Sequence, residues 1–169
     1  HDYTLDETEL DTNLIFPHNS HFPLHEKSHY QYGLVAITAL GHTAVATGHA
    51  KRALEETVQI IKSNNARTLS DLNNFYSNYS RANAKIHAIN AYISDILDTL
   101  SLENIDQNKI PTIIENIRLA SVYISEECSN IITFCFSTCG IIATDRDNII
   151  GRIFRESSVI KQHIMINVN

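Results

Sequence analysis

The chain has no Trp, and its 169 residues include only 5 Gly, 3 Pro and 3 Cys. So few backbone breakers leave room for long uninterrupted helices. Cys128, Cys135 and Cys139 contain no CxxC, are odd in number and crowd into one stretch. Such a set is a poor disulfide framework, and it points to a reducing, cytoplasmic setting. At i, i+7 and i+11 the three thiols share one helix face, where buried Cys behaves as a small hydrophobe. No GxGxxG, P-loop or GxSxG occurs, so a nucleotide, if bound, is not held by a standard glycine cradle. Positive charge is also short: 13 Lys and Arg against 19 Asp and Glu leave a formal net charge of -6. Nucleic acid needs a clustered basic face, and the basic residues here are scattered, so no nucleic-acid partner is expected. No basic n-region with an apolar core opens the chain, so no secretory leader is expected.

Residues 28–50 carry no Asp, Glu, Lys or Arg, over about the length of a membrane span. They are built from Ala, Gly, Thr and His with few large aliphatics, and such a segment inserts weakly. A buried helix whose small residues let neighbours approach closely is expected instead, with no membrane partner.

What is present is helical periodicity. Residues 1–27 read as an extended, non-helical segment punctuated by Pro17 and Pro23. Four helices follow, at about 29–61, 68–100, 111–139 and 147–165. The second opens at Thr68-Leu69-Ser70-Asp71, a capping box with Asp in place of Glu. Its stripe runs through Leu72, Phe75, Tyr79, Ala82, Ile86, Ile89, Ile93, Ile96 and Leu100 at gaps of three and four that keep one face. Pro111 suits the first turn of the third helix, and Gly140 suits a left-handed stop after Cys139. In the fourth, Ile149, Ile153, Ile160 and Ile164 share one side. Long helices joined by short polar links predict an all-α, antiparallel four-helix bundle over 28–169. The third helix is apolar over most of its circumference, which predicts burial in a homo-oligomer.

Candidate chemistry is sparse. His18, His21, His25 and His29 suggest imidazole ligands, but two prolines interrupt the run and HExxH is absent, so no metal is expected. His42 and His49 share a face of the first helix. Arg152 and Arg155 lie three apart, with Glu156 beside them, and read either as a salt-bridge set or as a clamp at a subunit or cofactor boundary. His163, two turns beyond Arg155, is the one residue near the end able to move protons near neutrality.

Taken together these residues resemble the C-terminal helical domain of the acyl-CoA dehydrogenase superfamily, nearest the branch of flavin-dependent monooxygenases. Gly48-His49-Ala50-Lys51-Arg52-Ala53-Leu54 looks like the G-I-A-x-x-A-L stretch of that domain's first helix. From Cys139 to His163 the chain is similar to a GG pair leading into a PLxR-x-x-RD helix that ends in QH. Gly140 matches the second Gly, Ile150 the Leu, Arg152 and Arg155 the two Arg, and Gln162-His163 the final pair. Leu14-Ile15-Phe16-Pro17 looks like the exit from the family's middle β-domain.

The resemblance implies a dimer or tetramer with FAD or FMN between the bundle and a β-domain. It places Gly140, Arg152 and Arg155 at the cofactor side, and gives His163 the catalytic role of proton handling beside the flavin. Departures are Cys139 for Gly, Ile149 for Pro, Glu156 for Asp and Ser158 for a second His. The RxxFG stretch is not seen around residues 64–67. The dehydrogenase base is missing too: Ile164 and Thr38 stand near its two usual positions, and neither can act as a base. The N-terminal helical domain and complete β-domain of the family are not in this sequence. The expectation is therefore a C-terminal piece of a flavin oxidoreductase, inactive alone, with substrate contacts lying elsewhere. The alternative is a non-enzymatic helical oligomerisation or interaction module that has lost flavin binding.

Overall fold

A computed structural model describes residues 9, 11–14, 31–63, 68–102 and 105–162. The extended segment expected over 1–27 falls almost wholly outside the described residues, as do His163 and Ile164. Four long helices make up the fold: α1 (Gly33–Ser63), α2 (Leu69–Leu100), α3 (Ile110–Cys139) and α4 (Ile149–Lys161). Among the described residues there is no strand, so the all-α bundle is the architecture observed.

Local chemistry explains where the helices start. Thr68 Oγ1 accepts from the Asp71 N–H at 3.2 Å, and the Asp71 carboxylate accepts from the Thr68 N–H at 3.1 Å. This is the reciprocal capping box, with Asp standing in for Glu. Pro111 lies in the first turn of α3, where a missing N–H leaves no bond unmade. The fourth helix begins at Ile149 rather than Asp147, because Asn148 is the cap: its side chain accepts from the Ile150 N–H at 2.9 Å.

Sequential helices run antiparallel, so α1 and α3 point the same way. These two form the most intimate pair. Thr47 meets Cys128 and Thr57 meets Cys139, ten residues further along one helix and eleven along the other. The reason is side-chain size. The inner face of α1 carries Ala39, Thr43, Ala46, Ala50, Ala53 and Thr57, all buried. Opposite stand Ser121, Ile124, Ser125, Cys128, Ile132 and Cys135 of α3. Short side chains bring the axes together, and most of the buried hydroxyls are satisfied, Ser125 Oγ being the exception. Thr43, Thr47 and Thr57 each donate to the carbonyl four residues back at 2.7–2.8 Å. A buried hydroxyl so bonded avoids the cost of about 1–3 kcal/mol for an unpaired one.

The other two helices lie on opposite sides of this pair. Phe75 of α2 stacks on Phe134 of α3 at 6.2 Å, and Phe154 of α4 stacks on Phe136 at 4.3 Å. Lys85 of α2 reaches Glu127 of α3 at 2.6 Å. The lower core gathers the start of α1, the end of α2 and the start of α3 around Tyr32, Ile96, Leu100 and Ile117. In the upper core α4 adds Ile150 and Ile153. Fully burying an Ile contributes about 1.5–3 kcal/mol, and Ile117, Ile124, Ile132 and Ile150 are all at 1% exposure or less.

Among the described residues one stretch, Gln107–Thr144, is long and apolar enough to cross a membrane by length and composition. It contains α3, the central helix of the bundle. Only 33% of its most apolar part is buried, so three neighbouring helices do not cover it fully. The outer face of α1 is uncovered as well, and it carries Leu34, Ile37, Gly41, Ala44, Val45 and Gly48 without a charge.

Candidate functional site

The residues singled out at the end of the chain gather where α3 turns into α4 and where α4 crosses α1. Helix α3 stops at Gly140, whose φ of 62° and ψ of −139° lie in a region essentially reserved for glycine. The positive φ expected there is present, but ψ is far from the left-handed helical value. The Gly140 N–H donates to Phe136 O, closing the last turn. A 3-10 helix over Gly140–Thr144 follows, and it buries Ala143 while exposing Ile141 and Ile142.

A polar turn then aims α4 back down the bundle. Asp145 Oδ1 accepts from the Asp147 N–H at 3.0 Å, and Asp145 O accepts from the Asn148 N–H at 3.2 Å. Arg155, from the second turn of α4, donates through Nη2 to Arg146 O at 3.3 Å. It thus ties the helix to its own leading turn. Arg152 is exposed and points elsewhere, with Nε 3.7 Å from Glu156 Oε1. The two arginines therefore do not converge on one point.

Glu156 connects the helices. Its other oxygen lies 3.5 Å from His49 Nε2 on α1. The His49 side chain is 24% exposed, and its Nδ1 is buried with no hydrogen-bond partner among the described residues. A chain Arg152–Glu156–His49 results, half in water, linking the cationic face of α4 to α1. Sequence spacing paired His49 with His42 on its own helix; the contact that the fold makes is with Glu156, more than a hundred residues away. Thr38, near the family's alternative base position, is half-buried on α1.

Gly151 escaped sequence reading. It is buried in the first turn of α4, and a Cβ there would run into Ala143 O. The available signal was a glycine inside an otherwise strong helical pattern, which usually marks a close approach.

The three cysteines lie in the core as expected. Cys128 Sγ donates to Thr47 Oγ1 at 3.9 Å and Cys139 Sγ to Thr57 Oγ1 at 3.7 Å. Burial pushes the Cys128 and Cys135 thiols up to about 11, more than the Thr47 and Thr57 hydroxyls lower them. Such thiols are poor nucleophiles and poor metal ligands near neutrality. His18, His21, His25 and His29 lie outside the described residues. Among the described ones, no three His, Cys, Asp or Glu are placed to hold a metal.

His163, to which the resemblance gives a catalytic role, also lies outside the described residues. Gly140, Arg152 and Arg155 are all exposed, around the α3–α4 turn and the first half of α4. This region offers guanidinium donors and an open backbone turn.

Comparison with known proteins gives one positive result. A family model described as "Acyl-CoA dehydrogenase, C-terminal domain" matches residues 40–168. Neither the comparison with curated proteins nor that with solved structures finds a match. The matched span starts within α1 and takes in α2, α3, the Gly140 turn and α4, which is most of the chain. This protein belongs to the acyl-CoA dehydrogenase C-terminal domain family.

Proposed function

We propose that this chain is the C-terminal bundle domain of an acyl-CoA-dehydrogenase-like flavin oxidoreductase, and that it supplies subunit association and one side of a flavin site. The observation that carries the proposal is the family match over residues 40–168. Family members generally bind FAD.

The residues on the α3–α4 flank fit one side of such a site. Gly140 is exposed, with nothing within 4 Å of where a Cβ would stand, so a ligand can approach its backbone. Arg152 and Arg155 present cationic donors at the surface, a chemistry that suits a phosphate-bearing FAD or FMN. Remaining walls would come from a β-domain or from another subunit. When bound, the flavin would supply the electron acceptor. His163 would hold or release a proton beside it, and Arg155 would keep the terminal helix in place through Arg146 O.

Association would use the charge-free outer face of α1. Leu34, Ile37 and Val45 are 43%, 42% and 48% exposed there, with Gly41 between them and Gly48 just beyond offering no obstruction. Such a face is suited to a second copy, in a dimer or tetramer.

Two measurements test this reading. The gene product, purified without added cofactor, should carry flavin absorbance; a colourless protein that takes up neither FAD nor FMN would refute the flavin half. Sedimentation should give a dimer or tetramer that Ile37→Asp or Val45→Asp converts to monomer. A wild-type monomer would refute the association half.

A second reading has one observation in its favour. Thr38 stands near one family base position and cannot take a proton usefully, so a non-enzymatic helical module is the alternative. Association without flavin is the outcome that selects it.

A further inference from the structure

On the side of the bundle facing away from α4, the lower half of α2 and the first turns of α3 enclose a groove of about 330 Å³. Its floor is aliphatic: Ile96 and Ile117 are buried and Ile113 is half-buried. Tyr92, Asp95 and Asn116 form the polar part of its lining.

Among the described residues, Asp95 is the one charged residue lining the groove. Among the described residues no Lys, Arg or His pairs with it. The nearby Thr99 hydroxyl does not relieve it, since Thr99 Oγ1 donates to the Asp95 backbone carbonyl at 3.0 Å. The surrounding backbone adds to the negative field. Helix α2 ends at Leu100 with no basic residue in its last turn, so its C-terminal partial charge of about −0.5 is not offset there. Asp98 on the same turn adds a further carboxylate. Tyr92 also lines the groove, and an aromatic ring attracts cations over its face.

An apolar floor, an unpaired carboxylate and an aromatic ring define a ligand by chemistry. We propose that this groove binds a small organic ammonium, its charge held by Asp95 and Tyr92 and its apolar body resting on Ile96, Ile113 and Ile117. A volume near the lower end of ligand pockets suits a fragment of one ring and a short aliphatic arm. Anions are repelled, and neutral analogues lose the charge contact. The proposal does not depend on flavin binding or on association through α1.

The test is a two-dimensional amide NMR titration of the whole chain with phenethylamine, with 3-phenylpropanoate as the size-matched anion. Saturable shifts confined to residues 92–99 and 113–117 are expected with the amine and none with the carboxylate. Added salt should weaken binding, because the site is open to solvent. Asp95→Asn should raise the dissociation constant by about threefold to fivefold, as expected for an exposed ion pair. Asp95 is exposed, so this variant keeps its fold, which its unchanged amide spectrum would verify. Three results would overturn the proposal: no saturable shift with the amine, equal binding of the carboxylate, or an Asp95→Asn affinity equal to wild type.

Discussion

Gly151 of α4 rests against the carbonyl oxygen of Ala143, so closely that no side chain fits between them. This contact fixes how near the last helix comes to the turn that launches it. Gly48 is the opposite case: it lies mid-helix on the exposed face of α1 with nothing within 4 Å of a would-be Cβ. Gly151→Ala should therefore destabilise the fold by about 1–3 kcal/mol, because backbone must shift. Gly48→Ala should stabilise it by about 0.5–1 kcal/mol through the unfolded chain. Urea midpoints moving in opposite directions are the expected result; movement in the same direction would refute the packing account.

Gly140 is needed for its backbone rather than for space. At φ 62° and ψ −139°, an L side chain is strained even though nothing crowds the site. Gly140→Ala should cost about 1–3 kcal/mol. Asn, which tolerates the left-handed helical region, should not do better, because ψ lies outside that region. Thermal unfolding of the two variants checks this, and an Asn variant close to wild type would show that the turn relaxes.

The buried thiols give a pH signature. Cys128 and Cys135 titrate near 9.0 when unperturbed and are pushed up to about 11 in the fold. Between those values the folded chain keeps protons that the unfolded chain releases. Their contribution is therefore complete below pH 9 and is lost as pH rises through 11. Each thiol accounts for at most about 3 kcal/mol of that loss. A Cys128→Ala, Cys135→Ala double variant should show a flatter decline of stability from pH 9 to 11. Native protein at pH 7.5 (roughly, where thiolate is scarce) should also react slowly with a disulfide reagent.

The bridge from α4 to α1 through Glu156 and His49 is half-exposed, so it positions more than it stabilises. Glu156→Gln should change stability by less than about 1 kcal/mol. A double-mutant cycle with His49→Asn should give a coupling no larger than that. A coupling of several kcal/mol would mean that the pair is far more buried than its 24% and 50% side-chain exposures indicate.

Much of this was legible in the residues. The spacing of Phe75, Ala82, Ile86, Ile89 and Ile96 set one face of α2, and Thr68 and Asp71 marked its start. Cys128, Cys135 and Cys139 at one-face spacing were readable as core. The stop at Gly140 followed from a single glycine after a long apolar helix. Long-range pairings were not readable. His49 looks toward His42 in sequence, and only packing brings it to Glu156. Arg152 and Arg155 look alike by spacing, yet one pairs with a carboxylate while the other holds a backbone carbonyl. His163 was identified through resemblance alone.

Periodicity, caps and breakers act within one or two turns, so the sequence by itself determined four helices, their inward faces and the family they belong to. Which helices touch most closely depends on side-chain volume summed over two distant segments. The Ala and Thr face of α1 meets the Ser, Ile and Cys face of α3 because both are short enough to let the axes approach. That approach was settled only in three dimensions. It also decided that Gly151 is a contact, that Glu156 reaches His49, and that Asp95 lines a groove with an apolar floor.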